Sequence, residues 1–223
     1  MRVSTAFTNF TSGEISDLLD GRTDLTRYTN AAKSLTNFLV HPAGGAARRP
    51  GTKFVHEVKS SAVAVRLVPF EFNTTSANTY ILEFGNLYFR VFRDGGIVTE
   101  SGQTISGITR ASPAVVTASS HGFSNDDHVI IESVVGMTQV NGKTFVVKNK
   151  TTNTFQIQDV DGNNIDSSGY TAYSSAGTAS RIFQVTTPYT TAQVSDIKFT
   201  QSADVMYLTH SSHEPRKLTR TAH

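Results

Sequence analysis

The chain has 223 residues, a formal charge of +2 and no cysteine, which excludes disulfides, thiolate metal sites and thiol nucleophiles. Hydrophobic residues make up 38%, with 14 Phe and 7 Tyr but no Trp, a mix suited to half-buried pleated surfaces and enough chain for one large β domain or two small ones. The near-balanced charge offers no basic field to hold nucleic acid by counterion release. There is neither an apolar leader in residues 1 to 20 nor a run approaching the ~20 apolar residues of a membrane span, so the expectation is a soluble chain without membrane anchoring, made without a secretion signal.

Val3 to Phe10 alternate loosely, as an edge strand would. After the turn-rich Asp20-Gly21-Arg22-Thr23, the residues Leu25, Tyr28, Ala32, Leu35 and Leu39 recur at steps of three and four. That spacing predicts one helix over Asp24 to Asn37 with an internally packed apolar face. Thr23 is the expected N-cap, and Asp24 suits the positive end of the helix dipole. Pro42, Gly44, Gly45, Pro50 and Gly51 then argue against a second helix before a strand at Lys53 to Val58. Arg48 and Arg49 lie between two bends. They read either as a solvated or locally salt-bridged pair, or as an interface clamp for a carboxylate or phosphate, which a planar guanidinium suits.

Residues 63 to 100 carry the clearest pattern. Val65, Leu67 and Pro69 alternate with Arg66, Val68 and Phe70; Tyr80, Leu82 and Phe84 with Ile81 and Glu83; Leu87, Phe89 and Val91 with Tyr88, Arg90 and Phe92. Both faces are substantially apolar, so the sheet is expected to be covered on both sides. Gly85-Asn86 and Asp94-Gly95-Gly96 are hairpin signals, giving three linked strands and a short fourth at Ile97 to Thr99. A second meander follows late in the chain, around Ile197 and Phe199, then Val205 to Leu208, then Lys217 and Leu218. Its breaks are expected at 201–204 and 211–215.

Between the meanders, residues 104 to 182 are rich in Ser, Thr, Gly, Asn and Val. Short strands are predicted at Ala114 to Ala118, His128 to Glu132, Lys143 to Lys148, Thr154 to Gln158 and Thr178 to Phe183, with turn residues dividing them. That spacing fits a small barrel or compact sandwich, entered near Gln103 and left near Arg181. The fold class is therefore mainly β: antiparallel blade-like meanders of a propeller or sandwich, one N-terminal helix and an inserted small β-barrel. The division is 1–103, 104–182 and 183–223.

Candidate chemistry is sparse. His121, Asp126, Asp127 and His128 cluster in sequence, and are read as a hydrogen-bonded loop in preference to a metal site. Asp159, Asp161 and Asn163 imitate the start of a calcium loop, but Asn164 stands at its sixth position and Tyr170 at its twelfth, where glycine and glutamate are needed. A turn at Asp161-Gly162-Asn163 is the simpler reading. No Gly-x-Ser-x-Gly elbow or Gly-Lys-Ser/Thr phosphate loop is present, and His210 and His213 read as surface turn residues. The chain is not expected to be an enzyme or to carry a cofactor.

Two resemblances add to this. Gly13 to Ser16, Leu19-Asp20-Gly21-Arg22-Thr23-Asp24-Leu25, Tyr28, Asn37-Phe38 and Pro42-x-Gly44-Gly45-x-x-Arg48-Arg49-Pro50-Gly51-Thr52 resemble the N-terminus of tail nozzle proteins of short-tailed phages and prophages, also called tail tubular protein B. Phe199 to Leu208, with His210, Pro215 and Lys217-Leu218-Thr219-Arg220, is similar to the next piece of that family, whose members are typically several times longer. Separately, Ser120-His121-Gly122-Phe123, Asp127, Val135 to Lys143 and Gly169-Tyr170-Thr171-Ala172-Tyr173 resemble the small barrel called the first catalytic cysteine half-domain of ubiquitin-activating enzymes, here without cysteine and so without ubiquitin chemistry.

The nozzle resemblance implies a structural virion protein of the phage tail, made in the host cytoplasm. It would form a homo-oligomeric ring contacting tail proteins such as the adaptor below the portal, with DNA passing through without sequence recognition. Arg22, Arg48, Arg49, Gly44 and Gly45 are the interface candidates under that reading. An alternative is a binding module, its barrel contacting host glycan or another tail protein, with Tyr170 and Tyr173 stacking on a sugar.

Overall fold

The computed structural model describes residues 9–71 and 79–220; the expected strand at Val3 to Phe10 lies largely outside them. The chain separates into two compact units, 1–54 and 55–223.

In the first unit the long helix is not formed. A 3-10 turn at Asp17–Leu19 and a single helical turn, α1 (Thr26–Thr29), take its place, α1 starting from Leu25 with no side-chain cap. Asp24 is instead paired with Arg22, and Ala32 bridges Glu14 in a short parallel contact. A helix this short is stabilised only by an apolar face that packs, and here Leu25, Tyr28, Ala32 and Leu35 are only partly buried and Leu39 is exposed. Among the described residues of this unit the regular pairing is a hairpin, β1 (Phe38–Val40) with β2 (Ala46–Arg48). Gly44 sits in its loop at φ 102°, a region costly for any residue with a Cβ.

The second unit begins without the strand expected at Lys53 to Val58. Its first sheet contains β3 (Arg66–Glu71), β4 (Thr79–Gly85), β5 (Tyr88–Arg93) and the short β6 (Gly96–Ile97), and is joined on the far side of β5 by β14 (Gln184–Thr186). The turn at Asp94-Gly95 has positive φ at both central residues, the geometry that matches strand twist. The β4–β5 turn is Asn86-Leu87, one residue later than expected. Gly85 stays in the ladder opposite Tyr88, because a Cβ there would lie 2.4 Å from the Tyr88 hydroxyl.

β15 (Lys198–Ser202), β16 (Val205–His210) and β17 (His213–Thr219) form a second antiparallel sheet. Its last turn is only Ser211-Ser212, so Pro215 lies within β17 and not in the loop. Val68, Phe70, Leu82, Phe84 and Phe89 of the first sheet share one core with Tyr189, Ile197, Met206 and Leu208. Arg66 Nη1 donates to the carbonyls of Ser195 (2.8 Å) and Ile197 (2.6 Å), and the Gln201 amide caps both backbone groups of Glu71.

The region between is a seven-stranded antiparallel sheet in the order β7-β13-β10-β11-β12-β9-β8. Its members are β7 (Gln103–Thr104), β8 (Gly107–Ile108), β9 (Val115–Thr117), β10 (His128–Glu132), β11 (Lys143–Lys148), β12 (Thr154–Gln158) and β13 (Thr178–Arg181). The two edge strands, β7 and β8, are separated by only Ile105 and Ser106, so the sheet has to curl until its edges lie side by side. Val116, Val129, Ile131, Val147, Phe155 and Ile157 alternate inward and are fully buried, as the period of two in a small barrel demands.

Candidate functional site

The region where the chain enters and leaves the barrel holds the most elaborate polar cluster. Residues 98–100 and 181–183 run side by side: Phe183 N–H donates to Val98 O (2.9 Å) and Glu100 N–H to Arg181 O (2.7 Å). This neck ties the barrel to the first sheet through the backbone. Arg181 reinforces it, donating from Nε and Nη2 to Glu100 Oε2 (2.9 and 2.5 Å) and from Nη1 to Asp127 Oδ2 (3.2 Å). Glu100 holds the guanidinium pKa above its ordinary value.

Beneath the neck lies the face of the first sheet turned away from its apolar core. Glu83 on β4 and Arg90 on β5 are register partners, and both are fully buried. Tyr88 donates its hydroxyl to Glu83 Oε1 (2.7 Å), and burial first, with that hydrogen bond, pushes the phenol pKa up. Both Lys59 Nζ and the Arg90 guanidinium lie near the Tyr88 ring, 5.0 and 5.5 Å from its centroid. Lys59 also donates to Gln184 Oε1 (2.9 Å). Its ammonium pKa is lowered, by burial and then by Arg90.

From the barrel side, β10 opens with His128, whose backbone carbonyl accepts from Ile182 N–H. Burial, followed by repulsion from Arg90, Lys59 and His56, pushes the His128 pKa down to about 3, so the ring is neutral near pH 7. Lys59, Arg90, Glu100, Asp126, Asp127, His128, Arg181 and Gln184 line a cleft of about 290 Å³. Among the charged groups of this lining only Arg90 is buried; the acids are more exposed and each is paired, Glu100 and Asp127 with Arg181 and Asp126 with Lys148.

The sequence signal for this cluster was present. Glu83 and Arg90 are charged residues flanked on both sides by apolar ones, equidistant from the Asn86-Leu87 turn, which places them opposite each other. What alternation did not supply was Lys59, His128 and Arg181, brought in from three other segments.

Residues 111–182 match the family model of the ubiquitin-activating enzyme E1 FCCH domain. The match spans β9 to β13 of the curled sheet and leaves out β7, β8 and the remainder of the chain. No curated protein matches the chain. Within the FCCH-like barrel, Ser167 ties the start of the match to its later half, donating to Thr109 O (2.6 Å) and accepting from Ala111 N–H (3.1 Å). Gly136 sits at φ 92°, where a Cβ would lie 2.2 Å from Ala172 O.

The tyrosines of the barrel serve packing. Tyr170 and Tyr173 are partly buried against its core, and the Tyr173 hydroxyl is committed to the carbonyls of Ile105 (2.9 Å) and Ala176 (3.0 Å). His121 is buried against Phe123 and Phe155. Its Nδ1 accepts from Phe123 N–H (3.0 Å), so it stands apart from Asp126, Asp127 and His128 in role as well as place. Asp159 accepts from the N–H groups of Asp161 and Asn163 (3.0 and 2.8 Å), closing the loop on itself.

His210 and His213 are not free turn residues. They pair across the β16–β17 turn and pack on Tyr189, ring centroids 6.1 and 5.3 Å away. The arginines and glycines of the first unit are dispersed. Arg22 is held by Asp24 through two short hydrogen bonds (2.8 and 2.7 Å), Arg48 ends β2 opposite Phe38, and Arg49 donates its backbone N–H to Asn37 O. Gly44 donates to His41 O and accepts from Phe10 N–H, and the Gly45 carbonyl accepts from His41 N–H.

Proposed function

We propose that this chain is a structural subunit of a short-tailed phage tail nozzle, one copy in a ring that contacts the adaptor below the portal and lets DNA pass without reading it. One observation supports an assembling role above the others. Residues 9–54 are organised by turns, a hairpin and hydrogen bonds, yet no hydrophobic side chain there is buried, and Leu18, Phe38, Leu39 and Phe54 are 91, 49, 50 and 75% exposed. Ordering a backbone costs about 1–2 kcal/mol per residue, and apolar burial is the usual compensation. A segment that is ordered but has no core of its own is suited to finding one on another subunit, and a ring contact needs two different patches per copy. The motifs around Gly44-Gly45 and Arg48-Arg49 carry the resemblance to nozzle proteins in this same segment.

The test is the mass of the purified full chain by multi-angle light scattering. A defined oligomer several times the subunit mass is expected, and a monomer at all accessible concentrations would overturn the reading. Replacing Arg48 and Arg49 together by Ala should lower the assembled fraction while leaving the circular dichroism spectrum unchanged. Normal assembly of that variant would remove these two side chains from the interface.

A further inference from the structure

We infer that the open part of the first sheet's outer face is an interface, and that it receives the exposed apolar side chains of residues 9–54 of a second copy of this chain. Burial along one cross-strand row sets the place apart: Arg90 and Glu83 are fully enclosed under the neck, whereas Leu67, next in the same row, is 61% exposed. In the following row Pro69 is exposed, and Ile81 and Phe92 are only half-buried. Leu67, Ile81 and Phe92, with Val55 and Val58, line a groove of about 430 Å³. The alternation of β3, β4 and β5 gives this sheet two apolar faces, a pattern that ordinarily means cover on both. Among the described residues the second sheet covers one face, and cover on the other ends between Glu83 and Leu67.

The lining decides what kind of group the groove takes. Its charged and ring nitrogens are engaged within the chain: Arg93 with Asp94 (2.8 Å), and the His56 ring with Glu57 O (2.5 Å) and Thr144 Oγ1 (2.8 Å), while Glu83 faces Arg90. An apolar surface with balanced charges at its rim suits neither a nucleic acid nor a charged peptide. β3 is the outer strand of its sheet, yet strand addition is blocked there, since Pro69 has no N–H and Gln201 already occupies both backbone groups of Glu71. The occupant therefore comes as side chains laid on the face. The chain itself carries the complement: Leu18, Phe38, Leu39 and Phe54 of the first unit are exposed and have no core of their own. Two apolar surfaces that both lack cover are driven together as they leave water, and two unlike patches are what a ring contact requires. The assignment rests on the assembling role proposed above and names its second surface.

The experiment has two arms, both on the full chain. In light scattering, Leu67→Asp should associate about tenfold more weakly than wild type or worse, with an unchanged circular dichroism spectrum, and Leu67→Met should assemble normally. In the second arm a benzoylphenylalanine is placed at position 67 and irradiated in assemblies formed from mixed ¹⁴N- and ¹⁵N-labelled chains. Cross-links to residues 9–54 are expected, with peptides of both labels joined. A wild type that stays monomeric at all accessible concentrations would overturn the ring reading and this assignment together. An oligomeric wild type with folded Leu67→Asp assembling equally well would overturn this assignment alone. Cross-links that stay within one chain, land outside residues 9–54 or fail to form would do the same, and they decide the matter where Leu67→Asp does not fold.

Discussion

The FCCH-like barrel and the N-terminal segment 9–54 are both built from turns and antiparallel pairing, yet only the barrel encloses a core. In the barrel, Ala114, Val116, Val129, Ile131, Met137, Val147, Phe155 and Ile157 are fully buried, each large apolar side chain contributing about 1.5–3 kcal/mol by leaving water. In the segment, comparable residues such as Phe38 and Leu39 face solvent. The contrast separates two uses of the same backbone devices. Hydrogen-bonded turns specify local shape, but stability within one chain comes from side chains that meet across strands distant in sequence.

The barrel side of this contrast is most sharply tested at Phe155, which lies edge-on to His121 and Phe123 at 5.1 and 5.5 Å. Phe155→Ala should cost about 3–5 kcal/mol of unfolding free energy in urea. A loss near zero would mean that this core does not govern the stability of the unit.

Next in size is the pH response of the neck. The unfolded chain protonates a histidine near 6.5, whereas folded His128 resists protonation down to about 3. Stability contributed by the neutral ring is therefore complete above about 6.5 and is lost as pH falls through that window, at about 1.4 kcal/mol per pH unit. His128→Gln should be less sensitive to acid than wild type by that slope, read from urea midpoints at a series of pH values. Parallel pH profiles would show that the ring does not stay neutral in the fold.

Smaller still, Tyr173→Phe should cost about 1 kcal/mol, since one hydroxyl serves the carbonyls of Ile105 and Ala176. Thermal or urea unfolding measures it, and a neutral result would leave that hydroxyl without structural work.

On the N-terminal side, Leu18→Ser with Phe38→Ser should leave the unfolding free energy of the dilute monomer within about 0.5 kcal/mol of wild type. The same pair should lower the particle mass in light scattering. A large loss of monomer stability would show that the segment has a core after all and would erase the contrast.

The barrel was the most legible part of the chain because its signal is local twice over. The strands expected at His128 to Glu132, Lys143 to Lys148 and Thr154 to Gln158 have the same bounds in the structure, each fixed by alternation inside the strand and turn residues outside it. The helix expected at Asp24 to Asn37 failed on the complementary ground. Its spacing was helical, but spacing yields a helix only where the apolar face has something to pack on, and Leu25, Tyr28 and Leu35 have no core to join. The hairpin at Gly85-Asn86 was displaced by one residue because Tyr88 needs the space that a glycine leaves in the ladder.

Residue order alone determined the mainly β class, the alternation of the two sheets and the short strands of the barrel-like region, since period-two patterns and turn chemistry act over a few neighbouring residues. Only the tertiary structure decided that Lys59, Glu83, Arg90, His128 and Arg181 meet under one neck. Those residues come from segments far apart in the chain, and nothing in a local window records which loops close on which. Burial then converted ordinary surface residue types into a Glu83–Arg90 pair enclosed in the sheet and a neutral His128, because the free energy of a charge depends on what surrounds it and not on its neighbours in sequence.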